Sequence, residues 1–157
     1  PSVHWNHLGF SFQTSTHIMA TRLQAASEVL CDVIKKSRLI PSPSEDPPAR
    51  YRLLTTRTDI NENGSVRKWT FGQRDNNMQS KILLMVGETG TGKTTLINAM
   101  ANHILGVKFT DEVWFEITEE GGDNPMSDQS QSQTSKITMY ELFAQDNPIC
   151  LTIIDTP

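Results

Sequence analysis

Lys93 and Thr94 sit side by side behind three glycines, in the run Gly87-Glu88-Thr89-Gly90-Thr91-Gly92-Lys93-Thr94-Thr95. The spacing G-x-x-x-x-G-K-T suits one kind of chemistry, the cradling of a phosphate chain. Glycine takes backbone angles that a Cβ forbids, and three of them let amide N–H groups close around anionic oxygens. Lys93 adds a point charge. Thr94 adds a hydroxyl of the kind that ligates Mg²⁺ beside a phosphate. Residues 87–95 are therefore the candidate ligand-binding residues, namely Gly87, Glu88, Thr89, Gly90, Thr91, Gly92, Lys93, Thr94 and Thr95.

A second chemistry-bearing residue is Asp155. It follows the apolar run Ile149-Cys150-Leu151-Thr152-Ile153-Ile154 and opens Asp155-Thr156-Pro157. An acid at the tip of a buried strand beside a phosphate loop is placed to complete a Mg²⁺ shell. Thr134 is the third candidate metal residue. It lies 155 − 134 = 21 residues before Asp155, a distance that one hairpin spans on its way back to the same end of a sheet. No residue is assigned as a catalytic base.

These side chains need elements to hold them. Residues 81–86 are an apolar run that reads as a buried strand, and residues 94–105 read as a helix. A strand, a glycine loop and a helix N-terminus in that order make an anion site. Residues 136–143 alternate, with Ile137, Met139 and Glu141 on one face and Thr138, Tyr140 and Leu142 on the other. Gln145-Asp146-Asn147-Pro148 reads as a turn, so this strand and 149–154 are expected to pair antiparallel.

The order strand, phosphate loop, helix, long loop, strand, turn, strand, Asp-Thr-Pro resembles small GTP-binding domains. The wording Gly-Glu-Thr-Gly-Thr-Gly-Lys-Thr-Thr resembles septins. The Asp-Thr-Pro ending resembles both septins and the immunity-associated GTPases of plants and animals. Ser132-Gln133-Thr134 looks like the first switch of the latter group, where a threonine completes Mg²⁺ coordination. The resemblance covers residues 81–157. It implies an α/β P-loop GTPase-like domain, a three-layer sandwich, with GTP or GDP and Mg²⁺ as ligands and slow GTP hydrolysis. It also allows a homo-oligomer or a protein partner through the switch. In that family the acid is followed by a glycine that senses the γ-phosphate, and an Asn/Thr-Lys-x-Asp segment reads guanine. Neither occurs before Pro157, so the chain is expected to be part of a longer protein and to bind nucleotide poorly by itself. Two alternatives stand beside the GTPase: a P-loop ATPase, and a non-catalytic module that uses nucleotide for assembly.

The remaining sequence narrows the classes. Lys+Arg 14 against Asp+Glu 18 gives a net charge of −4, which does not suggest a nucleic-acid binder. Only Cys31 and Cys150 are present, and both lie in apolar stretches, as reduced thiols of a cytoplasmic protein do. No run reaches the length of a membrane span, and no secretory signal is visible. Residues 1–16 read as a disordered leader, with Met19 as a candidate true start. Ile18, Leu23, Ala26, Val29, Leu30, Val33 and Ile34 recur at helical spacing, which predicts a helix over 17–40. Residues 41–48 are a Pro-rich linker. Residues 49–80 read as one β-hairpin around Asn61-Glu62-Asn63-Gly64. It is basic, with Arg50, Arg52, Arg57, Arg67, Lys68, Arg74 and Lys81 against Asp59, Glu62 and Asp75. Its aromatics, Tyr51, Trp69 and Phe71, are expected to pack on the neighbouring domain rather than on nucleic acid. Residues 110–133 form an acidic loop with a short strand at 113–117, and 121–133 are expected to be mobile.

Overall fold

The computed structural model describes residues 28–42, 47–88, 90–118, 136–145 and 147–157. In chain order the elements are helix α1 (Glu28–Lys35) and strands β1 (Ser37–Leu39), β2 (Ala49–Leu53), β3 (Thr56–Asp59), β4 (Val66–Phe71) and β5 (Gln79–Met85). Helix α2 (Lys93–Ile104) follows, then β6 (Val113–Glu116), β7 (Ile137–Phe143) and β8 (Ile149–Asp155). The chain is α/β, with two mixed sheets and two helices among the described residues.

The larger sheet has five strands in the order β3-β4-β7-β8-β5. β7 and β8 pair antiparallel across the turn at Asn147, with Tyr140 opposite Ile153 and Leu142 opposite Leu151. β5 runs parallel to β8, with Leu83 beside Ile153 and Met85 beside Asp155. Residues paired across strands share a face. One face therefore carries Phe71, Leu142, Tyr140, Leu151 and Ile153, all buried. Ile97, Ala101, Ile104 and Leu105 from the α2 region join them in one core, with Phe115 from β6 and Leu30 from α1. The other face carries Ile82 and Leu84, which are 67% and 62% exposed. On that face Phe143, Cys150 and Thr152 are buried, so the exposure is concentrated at the edge strand β5.

Helix α2 ends in a complete Schellman motif. Gly106 N–H donates to His103 O at 3.1 Å and Val107 N–H donates to Asn102 O at 3.0 Å, which satisfies carbonyls that the helix end would otherwise orphan.

Three expectations are corrected. The apolar run 81–86, expected as a buried strand, forms most of β5 as a sheet edge, and every residue from Gln79 to Leu84, with Val86, is exposed. The predicted helix over 17–40 is helical at Glu28–Lys35 among the described residues, and Ser37–Leu39 is a strand. The helix stops because Ser37 Oγ donates to Val33 O at 2.7 Å, and β2 offers β1 an antiparallel partner. The single hairpin over 49–80 is in fact split. Only Thr56–Asp59 pairs with Val66–Phe71. Ala49–Leu53 instead joins β1 and β6 in a three-stranded sheet, parallel to β6. Its alternation explains the choice. Ala49, Tyr51 and Leu53 are buried, and Tyr51 packs on Phe115 with ring centroids 5.8 Å apart. Arg50 and Arg52 turn to the other side and pair with the buried Glu116 carboxylate. The hairpin that remains extends the large sheet, because β4 runs parallel to β7. Trp69 and Phe71 then pack on the core.

Cys31 and Cys150 are not joined in a disulfide. Among the described residues no helix is long and apolar enough to cross a membrane. The expected leader 1–16, residues 17–27 of the predicted helix, Thr89, the stretch 119–133 and Thr134 lie outside the described residues.

Candidate functional site

The glycine loop leaves β5 at its C-terminal end and enters α2 at Gly92. That residue is the helix N-cap, with φ 85° and ψ 15°. The angle is left-handed, which glycine adopts without steric cost. No side chain caps the helix, and its first turn holds no acidic residue. The N–H groups of this turn have no intrahelical partner, so they and the helix dipole face outward as a ready anion site.

The loop is folded around the Lys93 side chain. Its Nζ donates to Gly87 O and to Glu88 O, the latter at 3.1 Å. Thr91 Oγ1 also donates to Glu88 O, at 2.7 Å. An ammonium has three donors. Two bonds fix its position and leave a third for an incoming oxygen. Thr94 is half-buried in the first turn of α2, whereas Thr95 is exposed.

β8 brings Asp155 to the same end of the sheet. It is the register partner of Met85, the last residue of β5. Thr156 secures the junction: its N–H and Oγ1 both donate to Met85 O, at 3.2 and 2.9 Å. Asp155 is only 8% exposed, and its Oδ1 is buried with no hydrogen-bond partner. Burial pushes its carboxyl above the ordinary 3.8, while the nearby Lys93 charge pulls it back. A buried acceptor without a donor is costly, and a cation is what would relieve it. The oxygen set of Thr94 hydroxyl, Asp155 carboxylate and phosphate matches the hard ligands that Mg²⁺ takes. No group of three His, Cys, Asp or Glu side chains gathers among the described residues.

Three residues that the sequence reading did not place at the site now join it. β4 sets Arg67 beside Thr138, and β7 sets Thr138 beside Asp155. Arg67, Thr138, Asp155 and Met85 thus form one row across the phosphate end of the sheet. Arg67 Nε donates to Thr138 Oγ1 at 3.1 Å. Thr138 is 1% exposed and committed to this contact. The other two are Asn98 and Asn102 of α2, both buried. Their signal was legible: two amides four residues apart on the apolar side of a helix.

No known family model, curated protein or solved structure matches the chain.

Proposed function

We propose that this chain binds a nucleoside triphosphate with Mg²⁺ through a P-loop, and that the complete protein hydrolyses it slowly to the diphosphate and phosphate. The observation that carries the reading is the unpartnered Asp155 carboxylate beside the Lys93 charge. It lies at the tip where β8 is paired in parallel to the strand that delivers the loop. In this reading the uncapped first turn of α2 and Lys93 hold the β- and γ-phosphates. Thr94 and Asp155 hold Mg²⁺, with Thr134 as the proposed switch ligand. The metal supplies charge neutralisation along the phosphate chain. The order β7-β8-β5 with its antiparallel and parallel pairings supports the GTPase-like branch of P-loop folds. The septin-like wording of residues 87–95 favours guanine as the base.

The test is competition in the complete protein. A fluorescent GTP analogue is bound with Mg²⁺, then displaced by unlabelled GTP or ATP, with and without EDTA. GTP is expected to displace it far better than ATP, and EDTA to weaken it. Equal displacement by ATP would replace guanine by adenine chemistry. No saturable binding would sink the reading, and binding without turnover would reduce it to a nucleotide-dependent interaction module.

A further inference from the structure

Thr94, Asn98 and Asn102 recur every four residues along α2, so they form one stripe down the helix. The two asparagines grip the backbone of β6 and of the two residues that follow it. Asn102 Oδ1 accepts from Phe115 N–H at 2.9 Å, and its Nδ2 donates to Phe115 O at 2.7 Å. Asn98 Oδ1 accepts from Ile117 N–H at 2.9 Å and from Thr118 N–H at 3.4 Å. Its Nδ2 donates to Thr118 Oγ1 at 3.0 Å. Every partner is buried, from Phe115 at 0% to Asn98 at 6% exposed.

Geometry explains why the grip works. Four residues of helix rise about 6 Å, and two residues of strand advance about 6.8 Å. Carboxamides at successive turns therefore meet alternate peptide groups of one strand edge. β6 pairs with β2 on its other edge. The asparagines thus serve as the missing neighbouring strand and seal an edge that would otherwise be buried and unpaired. Apolar side chains can slide past one another at small cost, but paired amides in a dry interior cannot. The clasp therefore fixes α2 along its own axis, and with it Lys93 and Thr94 at the helix N-terminus. Asn98 lies one turn below Thr94.

We infer that Asn98 and Asn102 are positioning residues that couple occupancy of the phosphate cradle to β6 and the residues that follow it, Ile117 and Thr118. The inference rests on the phosphate-binding reading above. A ligand that fixes the first turn of α2 holds the whole stripe, and β6 is held with it. An empty cradle leaves α2 freer along its axis, and the strand end loosens.

Hydrogen exchange reads this directly, because the Phe115 and Ile117 amides donate to the clasp itself. Backbone alternation turns the Trp114 and Glu116 amides toward β2, where they serve as internal controls. Exchange is followed in the complete protein with and without a non-hydrolysable GTP analogue and Mg²⁺, binding being checked by fluorescence. At ten times Kd, amides whose opening requires the cradle to open slow about tenfold. The expected result is that slowing at Phe115 and Ile117, with little change at Trp114 and Glu116. In Asn98→Ala the nucleotide-dependent slowing at Ile117 is expected to vanish while that at Phe115, held by Asn102, persists and nucleotide still binds. Thr118→Val keeps the volume and removes only the acceptor for Asn98 Nδ2. It serves where Asn98→Ala does not fold, with the slowing expected to shrink at Ile117. Uniform slowing on both edges, or full slowing retained at Ile117 in the variants, would overturn the coupling while leaving nucleotide binding intact. Failure of the unsubstituted protein to bind nucleotide would overturn both readings together.

Discussion

Asp155→Asn is expected to make the ligand-free protein more stable, against the usual direction for a buried position. The wild-type carboxylate is 8% exposed, its Oδ1 has no donor, and Lys93 makes no direct ion pair with it. An unpartnered buried acceptor costs about 1–3 kcal/mol, and a charged one costs more. Asparagine keeps the shape and removes the charge, while forfeiting the attraction to Lys93. The net gain is about 1–2 kcal/mol, since breaking any favourable charge contact offsets part of the relief. At about 2–4 °C per kcal/mol for a domain of this size, Tm rises by about 2–8 °C. The pH dependence has a definite sign. Burial raises the native carboxyl above 3.8, so the unfolded chain releases its proton first. The native state then loses stability as pH climbs from 3.8 through the raised value, and the loss is complete above it. The asparagine variant does not titrate there, so the Tm gap opens with rising pH and closes below 3.8. Ligand reverses the ranking. At a hundred times Kd, nucleotide with Mg²⁺ stabilises the wild type by about 2.7 kcal/mol, and the variant gains much less. Scanning calorimetry or fluorimetry across pH, with and without Mg²⁺ and nucleotide, makes the measurement. A lower Tm for the variant at neutral pH without ligand, or an equal ligand-induced shift, would refute the reasoning.

Lys93→Ala removes an ammonium held by two loop carbonyls. With charge-assisted bonds worth about 1.5–3 kcal/mol each, triphosphate affinity should fall at least about a hundredfold. Unchanged binding of a fluorescent analogue would contradict this. Thr134→Ala is expected to weaken binding of a non-hydrolysable GTP analogue with Mg²⁺ and to leave GDP binding nearly intact, because only the γ-phosphate holds a switch threonine against the metal. Equal losses for both nucleotides would move the ligand elsewhere. Gly72→Ala places a Cβ 2.2 Å from Phe143 O at φ +81°, so it should destabilise by more than about 1 kcal/mol in a denaturant titration. Leu84→Lys adds charge to an exposed apolar face beside the open edge of β5 and should reduce self-association in light scattering. An unchanged or larger mean particle size would count against that face as a source of association.

Local patterns wrote themselves plainly into the sequence where one face of an element is buried. The alternation of residues 136–143 gives β7 with its faces as expected, and the turn at Asn147 gives its antiparallel pairing with β8. What the sequence hid was partner choice. Residues 49–53 look like the first arm of a hairpin, because a turn signal and a second strand-like run follow. Their fate is decided by Phe115 and Glu116, more than sixty residues away. A strand's own residues say which side is buried, not which strand lies beside it. The same holds at the site. Gly92, Lys93 and Thr94 were visible because local chemistry fixes their spacing. Arg67 was not, since its place in the row with Thr138 and Asp155 depends on parallel pairing between β4 and β7. Asn98 and Asn102 were visible as residues and silent as a clasp.

Three places where local rules fail lie together at one end of the sheet. Helix α2 starts without a side-chain cap and without an acid in its first turn, although capping usually contributes about 1 kcal/mol. Gly92 holds a left-handed angle at that start. Asp155 keeps a buried carboxylate oxygen without a donor. Singly, each is an ordinary imperfection. Together they are complementary: unpaired donors and a lysine face one way, and an unpaired anionic acceptor lies beside them. An anion alone would satisfy the helix and worsen the position of Asp155 by repulsion. A cation alone would satisfy Asp155 and be repelled by Lys93. A polyanion that carries its own divalent cation satisfies both at once. Complementary inconsistency gathered in one place is what a binding site leaves in a fold, and it argues for a metal–phosphate ligand more strongly than the glycine spacing does alone.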